Sequence, residues 1–437
     1  MLDDDLIKKI KNIDTNDRIY LVGGYLRNYF INNTISNDRD LVCLENSYLL
    51  AKKIAAEFDG TFVELDKENQ IYRVVLKDKT NYFDISLAQG NNIEKDALRR
   101  DFTINSIYFD IKNNKIFDPV NGMNDIKNKI IKTINLNNIK KDYLRLIRLY
   151  RFFSLTGFRI EKELNDFVIH NFEKIHFIAK ERINYEIMQI FSNEYLPETL
   201  LKMYDDGVLE MVFPFVKEIK KVPPNSHHHL DLIHHSIETV KNIRINKPLL
   251  KLAAFYHDIG KPSTWTIESA SRHRFIGHDI AGGELVKKEL KELNFSNKQI
   301  SYVSKLVQNH IYPCALINVK THNKKPQARF FRKIGNETQD VIELARADRL
   351  SARGEAVSDE VINMTLNHLE NLLNYYIEIK NKIELKPLTD GKEIMRILDI
   401  KPSKRVGEIL ETIKEKQILN EITTRVEAID YIKTLQK

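Results

Sequence analysis

The chain has 437 residues, 42% of them hydrophobic and 30% charged, and 68 Lys and Arg against 61 Asp and Glu give a net charge of +7. This composition is that of a globular protein, and the length favours roughly three domains. Two cysteines, Cys43 and Cys314, exclude a disulfide framework and a C-x-x-C zinc site. Because no apolar run of about 18 residues is present and the N-terminus is no secretory signal, we expect a cytoplasmic protein without a membrane partner. The mild basic excess suits a polyanionic partner.

The first third of the chain alternates strand and helix patterns. Strands are predicted at residues 18–24, 38–44, 61–66, 71–78 and 82–88, with one helix after the first strand and another at 47–58. Short strands in such close succession favour a mixed or antiparallel sheet with flanking helices. From residue 125 onward the pattern is almost entirely helical, and a Pro-Pro pair within residues 222–226 predicts a linker. The predicted fold class is therefore α+β, a mixed-sheet head followed by an all-α body.

Two features at the predicted strand ends suit phosphate and metal binding. Gly23 and Gly24 separate a strand from a helix that carries Arg27, and glycine lets a backbone approach a phosphate closely. Alone, such a pair is more typical of an ordinary turn. Asp38 and Asp40 alternate along a strand, so both carboxylates lie on one face and repel each other unless a cation sits between them. That geometry suits Mg²⁺ bridging the phosphates of a nucleotide, although Asp-x-Asp is also common in loops.

Two arginine-rich segments follow. In Arg99-Arg100-Asp101, paired guanidinium groups can clamp a triphosphate while Asp101 orients one of them, although a solvated charged face has the same composition. In the second segment, charged residues recur at every third position, namely Asp142, Arg145, Arg148 and Arg151. This spacing predicts a positive stripe along one helix that could bind an anion, or a basic surface helix without a ligand.

The order of these motifs carries more information than any one of them. The segments LVGGYLRN, DRDLVC, ALRRDFTINSIYFD, FDPVNGMNDIKNK and DYLRLIRLYRFFSLTGF resemble the bacterial class II tRNA nucleotidyltransferase and poly(A) polymerase family. The resemblance implies a polymerase-β-like head in which Asp38 and Asp40 hold catalytic Mg²⁺, with Asp84 as a possible third carboxylate or a mere strand-end residue. It also implies that Asp142 and Arg145 select the base as a protein template. The nucleotide-binding residues that it implies are Gly24, Arg27, Arg100, Asp101, Asp142, Arg145, Arg148 and Arg151.

Three positions depart from the family pattern. Asn28 stands where the family has Asp, which predicts a weaker bond to Arg27, and Ser106 replaces Ala, which is a mild change. Lys141 stands where the family has Glu, directly before Asp142, and a cation there is expected to compete for the lone pairs of Asp142. Nucleotide selection is therefore the property that these departures most affect.

A second constellation lies in the helical body, where nine of the thirteen histidines fall between His227 and His310. Imidazole and carboxylate groups bind divalent metals, and the ordered set H…HD…H…H…D resembles the HD phosphohydrolase superfamily over residues 230–354. His227–His229 fall outside this order. The resemblance implies a divalent transition metal or Mg²⁺ held by His235, His257, Asp258, His278, His310 and Asp348.

The two resemblances together predict the organisation and the function. The predicted regions are a nucleotidyltransferase head at 1–135, a base-recognition neck at 136–222, an HD domain at 223–360 and a tRNA-binding tail at 361–437. The implied activity is addition of CCA, or part of it, to tRNA 3′ ends from CTP and ATP with release of pyrophosphate, and the HD domain adds phosphohydrolase activity. The alternatives are a poly(A) polymerase, a CC-only or A-only adding enzyme, and a non-catalytic RNA-binding protein or phosphohydrolase with an inactive head.

Overall fold

A computed structural model describes residues 3–13, 18–223, 231–269, 272–318, 324–352, 358–383 and 385–436. Most of the predicted linker at 222–226, and His227–His229, therefore lie outside the described residues. The chain divides into two compact units, the first made of residues 1–186 and 193–199 and the second of residues 187–192 and 200–437. Within the described part, no helix combines the length and the apolar character needed to cross a membrane.

The first unit is built on a seven-stranded sheet. Its strands are β1 Ile19–Val22, β2 Asp38–Cys43, β3 Thr61–Asp66, β4 Ile71–Val75, β5 Tyr82–Leu87, β6 Tyr108–Asp110 and β7 Lys115–Phe117. They lie in the order β3-β4-β5-β2-β1-β6-β7. Strand β2 pairs with β5 in parallel, and the other neighbouring strands of this sheet pair antiparallel. The mixed sheet predicted from the sequence is confirmed.

Helices cover this sheet and continue beyond it. The side chain of Asn46 accepts a hydrogen bond from the N–H of Leu49 and so begins α3, which buries Leu50, Ala51 and Ile54. The helices that begin in this part are α1 Asp5–Lys11, α2 Gly24–Asn32, α3 Ser47–Glu57, α4 Ile93–Leu98, α5 Gly122–Lys127, α6 Leu136–Lys141, α7 Leu144–Thr156, α8 Lys162–Asn171, α9 Lys180–Ser192 and α10 Leu196–Asp205. Two short strands, β8 Ile130–Ile131 and β9 Arg159–Ile160, pair in parallel.

The helix that carries the arginine stripe begins later than the spacing predicts. Asp142 has extended backbone (φ −148°, ψ 99°) between α6 and α7, and its Oδ1 accepts a hydrogen bond from the N–H of Leu144 at 3.1 Å. A short acidic side chain that bonds the backbone ahead of it favours this break over a continuous helix. The prediction that Asp142 and Arg145 share one helix is therefore wrong, whereas Arg145, Arg148 and Arg151 do share α7.

The second unit is mainly helical, as predicted. Its helices are α11 Leu209–Val212, α12 Phe215–Ile219, α13 Leu232–Lys241, α14 Pro248–Tyr256, α15 Lys261–Thr264, α16 His278–Glu292, α17 Asn297–Asn309, α18 Tyr312–Ala315, α19 Lys325–Ile334, α20 Thr338–Ser351, α21 Asp359–Ile383, α22 Gly391–Leu398, α23 Lys404–Ile418 and α24 Arg425–Thr434. The helical pattern did not predict a short antiparallel hairpin, β10 Thr266–Ser269 and β11 Arg272–Arg274.

Candidate active and metal sites

The acidic pair lies on one face of the central sheet, as its spacing predicts. Asp38 and Asp40 lie on β2, and Asp40 is directly opposite Asp84 of the parallel strand β5. One carboxylate oxygen from each residue falls within 4.8 Å of the others. Oδ1 of Asp38 is buried and has no hydrogen-bond donor among the described residues. Three hard oxygen donors at this spacing, one of them unsatisfied, fit a divalent cation such as Mg²⁺.

The electrostatics of this acidic group agree with that fit. Burial and the neighbouring charge of Asp38 raise the pKa of Asp40 to about 7, although Arg100 opposes the shift. Burial and Asp84 likewise raise the pKa of Asp38. Carboxylates whose pKa rises in this way lack sufficient positive charge nearby, and a bound cation supplies it.

Asp84 has a competing partner inside the protein. Its two oxygens accept hydrogen bonds from Nε and Nη2 of Arg73, both at 2.7 Å. Asp84 therefore belongs to the acidic group by position, and the bidentate ion pair uses one lone pair of each of its oxygens, which leaves the others for a cation. It is more than a strand-end residue, because it both joins the acidic group and orients Arg73.

The first glycine of the Gly-Gly pair is the more constrained of the two. Gly23 has φ +78°, and a Cβ at this position would lie 2.7 Å from Oδ2 of Asp40. A Cβ at Gly24 would meet only Nη2 of Arg27 at an ordinary 3.5 Å. The acidic site thus requires glycine at position 23, and of the predicted pair the resemblance gives the nucleotide-binding role to Gly24.

Arg27 is buried beside the acidic group and is held by two amides. Its Nη1 donates to Oδ1 of Asn105 at 2.7 Å, and its Nε and Nη2 both donate to Oδ1 of Asn28 at 3.1 and 2.9 Å. Asn28 therefore keeps a bonded contact with Arg27, but without a negative charge. Burial and the neighbouring charge of Arg151 lower the pKa of Arg27 to about 9, so this cation gains from an incoming anion.

The partner of Asp101 differs from the predicted one. Its Oδ2 accepts hydrogen bonds from Nε and Nη2 of Arg148 at 2.8 and 2.7 Å, and Arg148 keeps the pKa of Asp101 well below its usual range despite burial. Arg100 instead donates to the hydroxyl of Tyr108 at 2.9 Å and to Asp96 at 3.1 Å. The expectation that Asp101 orients an arginine of its own segment is thus wrong, because Asp101 forms its ion pair with Arg148, 47 residues later in the chain.

The predicted base-selecting residues meet in a cationic cleft of about 220 Å³. Asp142 pairs there with Arg182 at 2.7 Å, and Nη1 of Arg145 donates to the carbonyl oxygens of Arg99 and Asn138 at 3.2 and 3.0 Å. Lys141 is exposed, and the ion pair described for Asp142 is with Arg182, not with the predicted Lys141. The cleft is lined by Arg99, Arg100, Asp101, Asp142, Leu144, Arg145, Arg148 and Arg182.

Several residues that organise this site were not predicted. Glu186 is buried, and its Oε1 accepts a hydrogen bond from Nη1 of Arg151 at 3.3 Å, although the two residues are 35 positions apart in the chain. Asp96 binds Arg99 and Arg100 from three and four residues before them, a helical spacing that does signal such a pair. Asn105 and Tyr108 lie in the quoted segment ALRRDFTINSIYFD, which could have signalled them, whereas Arg182 carries no comparable local signal.

In the second unit, the six predicted metal ligands converge. Nε2 of His235 lies 3.2 Å from Nε2 of His257, and Nε2 of His278 lies 3.3 Å from Nε2 of His310. Asp258 faces both histidine pairs, with Oδ2 3.2 Å from His257 and Oδ1 3.5 Å from His278. Oδ1 of Asp348 lies 3.0 Å from His235. Asp258 is thus placed to bridge two ions.

Hydrogen bonds at the far ring nitrogens fix the tautomers of three of these histidines. Nδ1 of His257, His278 and His310 lies 2.7, 2.8 and 2.7 Å from a backbone carbonyl oxygen three residues earlier. A carbonyl only accepts, so Nδ1 carries the proton and Nε2 presents a lone pair to the cluster. Converging lone pairs with a bridging carboxylate fit a divalent metal centre, and backbone bonds of this kind orient metal-binding imidazoles.

Lys261, three residues after Asp258, was not predicted as part of this centre. Its ammonium is buried, and Nζ lies 2.6 Å from Oδ2 of Asp258. The spacing of three could have signalled this pair. Lys261 thus places a fixed positive charge beside the metal-binding carboxylate.

We expect Gly260→Ala to disrupt this centre, because a Cβ there would lie 2.0 Å from the carbonyl oxygen of His278 and 2.6 Å from the N–H nitrogen of Gly282. Separating these backbones should destabilise the protein by about 1–3 kcal/mol and weaken metal binding. Denaturant unfolding and Mn²⁺ titration measure the two effects. Gly407→Ala, where a Cβ meets open space, is the matched control. Unchanged stability and Mn²⁺ affinity in Gly260→Ala would show that the contact is not required.

Comparison with known proteins gives a consistent family assignment. Three family models match: "Poly A polymerase head domain" over residues 19–132, "Probable RNA and SrmB- binding site of polymerase A" over 157–220, and "HD domain" over 227–353. The A-adding tRNA nucleotidyltransferase of Deinococcus radiodurans is 27% identical over 87% of this chain and 88% of its own length. The CC-adding tRNA nucleotidyltransferase of Thermus thermophilus is 25% identical over 93% of this chain and 91% of its own length.

The fold agrees with a solved structure as well. The Bacillus stearothermophilus CCA-adding enzyme in complex with CTP superimposes with a TM-score of 0.63 at 17% identity, covering 99% of this chain and 97% of its own. The mixed-sheet head thus matches the poly(A) polymerase head-domain family, the helical body contains an HD domain, and nearly the whole chain is similar to tRNA nucleotidyltransferases.

Proposed function

We propose that this chain is a tRNA nucleotidyltransferase that adds CCA, or part of it, to tRNA 3′ ends from CTP and ATP. The observation that carries the proposal is the acidic pair Asp38 and Asp40, with an unsatisfied buried oxygen, beside a cleft rich in arginines. Similarity to named tRNA nucleotidyltransferases over nearly the full length supports it. The cytoplasmic location and the division at residues 135, 222 and 360 stay predictions.

The residues divide the chemistry between them. Asp38 and Asp40 would hold Mg²⁺, which when bound lowers the pKa of the primer 3′-hydroxyl and offsets the charge of the leaving pyrophosphate. Arg27 and Arg100 lie near the acidic pair, and they attract the triphosphate and orient it for in-line attack on the α-phosphorus. Arg148 and Arg151 add positive charge, and Asp101 and Glu186 hold them in place.

Base selection falls to Asp142 and Arg145 in the cationic cleft. A carboxylate accepts from the amino group of cytosine or adenine, and a guanidinium donates to their ring acceptors. Guanine and uracil have a carbonyl acceptor in place of that amino group and a ring N–H donor in place of that ring acceptor. They would therefore leave the carboxylate and the guanidinium unpaired. Two backbone carbonyls hold Nη1 of Arg145, so the rest of its guanidinium is oriented for a base.

Arg145→Ala should lose discrimination among the four nucleoside triphosphates by roughly ten- to thousand-fold. The measurement is incorporation of each labelled triphosphate into tRNA that lacks its 3′ end. Lys141→Glu, a change at the last residue of the preceding helix α6, is the matched control. It should keep the preference for CTP and ATP, because the ion pair described for Asp142 is with Arg182. If Arg145→Ala keeps full preference for CTP and ATP, the protein-template role of this residue is refuted.

The number of nucleotides added separates the closest candidates. A CC-only or A-only enzyme is the second candidate, because relatives that match almost the whole chain carry those two activities in their names. Three tRNA substrates, ending before the first C, after CC and after CCA, distinguish them with labelled CTP and ATP. Extension of the first two substrates to CCA supports the full CCA-adding activity. Extension of only the first substrate, by CC, indicates a CC-adding enzyme, and extension of only the second indicates an A-adding enzyme. Continued addition of A to the third would indicate a poly(A) polymerase.

We propose further that the HD centre is a metal-dependent phosphohydrolase for terminal or 2′,3′-cyclic phosphates. Four imidazoles and two carboxylates would hold one or two divalent ions, with Asp258 between them. Lys261 adds a positive charge that favours a phosphate near the bridging carboxylate. A bound metal supplies Lewis acidity for attack by water.

A further inference from the structure

The β10–β11 hairpin connects the two halves of the HD centre. It follows α15, which begins with Lys261, and it leads into α16, which begins with the ligand candidate His278. The residue that follows β11 is bonded to the centre, because the carbonyl oxygen of Phe275 accepts a hydrogen bond from Nδ1 of His278 at 2.8 Å. The ammonium of Lys261 lies 5.5 Å from the centre of the Phe275 ring. The hairpin is thus a rim of the metal centre rather than a remote loop.

An aromatic pair joins the two ends of this hairpin. Trp265 and His273 are both half-buried, and Nε1 of the indole donates a hydrogen bond to Nδ1 of the imidazole at 3.1 Å. Their ring centres are 5.5 Å apart with planes inclined by 32°. Because the indole N–H is already bonded, the exposed part of Trp265 is apolar ring surface. Ile276, two residues before His278, is 77% exposed and adds an apolar side chain to the segment between the hairpin and the ligand candidate.

The charges near the rim suit a phosphate rather than an apolar ligand alone. Since Nδ1 of His273 accepts the indole hydrogen bond, its proton lies on Nε2 and is available as a donor. Lys261 carries a positive charge beside Asp258. An aromatic face, a ring N–H and an ammonium next to a metal-binding cluster match a nucleotide, whose base stacks and whose phosphate binds cations.

We propose that Trp265 and His273 form a stacking platform for the base of a terminal nucleotide whose phosphate lies at the HD centre. The ligand class is a nucleoside 3′-phosphate or 2′,3′-cyclic phosphate, free or at an RNA end. The proposal rests on the proposed phosphohydrolase function. It adds that the HD centre recognises the base, so that nucleotide esters bind more tightly than phosphate esters that have no base. Stacking tolerates any base, so the platform imposes little preference among the four nucleotides.

The composition of the chain provides a direct binding test, because Trp265 is its single tryptophan. Intrinsic tryptophan fluorescence therefore reports on the platform alone. We expect 2′,3′-cyclic AMP to quench it saturably, and glycerol 1,2-cyclic phosphate, which has no base, to leave it unchanged. Ile267→Ala, an exposed change on the same hairpin, is the control, and its quenching should equal that of the wild type. Absence of quenching at concentrations that saturate hydrolysis would overturn the platform.

Kinetics provide the second test, with metal added. Trp265→Ala should raise the KM for 2′,3′-cyclic AMP about 5- to 100-fold, with kcat little changed and hydrolysis of glycerol 1,2-cyclic phosphate unaffected. Trp265→Phe should restore most of the affinity, and Ile267→Ala, an exposed change on the same hairpin, is the control. Equal effects of Trp265→Ala on both substrates would refute base recognition. If the wild type hydrolyses neither substrate, the phosphohydrolase function fails, while the fluorescence titration still decides whether the platform binds a base.

Discussion

Asp40→Asn should reduce nucleotide addition by roughly 10³-fold or more, because a carboxylate that holds a catalytic metal contributes several kcal/mol to the transition state. The fold should persist. Burial and Asp38 raise the pKa of Asp40 to about 7, so its charge is unfavourable in the metal-free protein, and removing it leaves the thermal stability unchanged or higher. Asp38→Asn should behave alike. The measurements are incorporation of labelled CMP and AMP, and the melting temperature.

Glu64→Gln is the matched control for this prediction. Glu64 is an exposed carboxyl on edge strand β3 of the same sheet, so its replacement should affect neither activity nor stability. A folded Asp40→Asn protein that incorporates nucleotides at the wild-type rate would show that the acidic pair is not the catalytic site.

The second large effect concerns the HD centre. His257→Gln combined with Asp258→Asn should abolish metal-dependent hydrolysis of 2′,3′-cyclic nucleotides while nucleotide addition continues. Asp258 faces both histidine pairs, so its loss affects both metal positions. The amide replacement keeps the shape of the side chain and a contact for Lys261. Both activities are measured on the same preparation with Mg²⁺ or Mn²⁺ added.

His234→Ala is the control, because His234 precedes His235 but is partly exposed and pairs with Asp231 instead of the cluster. It should retain both activities. A parallel loss of nucleotide addition in a folded double variant would contradict two independent metal sites.

Local geometry explains which parts of the head were predictable. The period of two along a strand places Asp38 and Asp40 on one face, and β2 has that arrangement. Partners far apart in sequence were not predictable in the same way, since Arg148 reaches Asp101 across 47 residues and Arg182 reaches Asp142 across 40. The break before α7 depends on the hydrogen bond that the side chain of Asp142 accepts from the backbone of Leu144. The three-residue spacing of the arginines favours a continuous helix, and it is the clearer of the two signals in the sequence.

The HD centre illustrates the opposite case. No local pattern predicts that His235 and Asp348 lie 3.0 Å apart, and the ordered motif alone identified them through the family resemblance. The structure brings all six predicted residues together. The hairpin escaped prediction because its strands have four and three residues, too short for a clear alternation.

The most direct test of the central claim is the stoichiometry of the reaction on tRNA that lacks its 3′ end. The purified chain is incubated with Mg²⁺, CTP and ATP, and pyrophosphate release is measured together with tRNA length. We expect one pyrophosphate for each nucleotide added, extension that stops at or before CCA, and no extension with UTP or GTP. Absence of both pyrophosphate and tRNA extension from the folded protein, on tRNAs ending before and after CC, would contradict the assignment of the head as a tRNA nucleotidyltransferase.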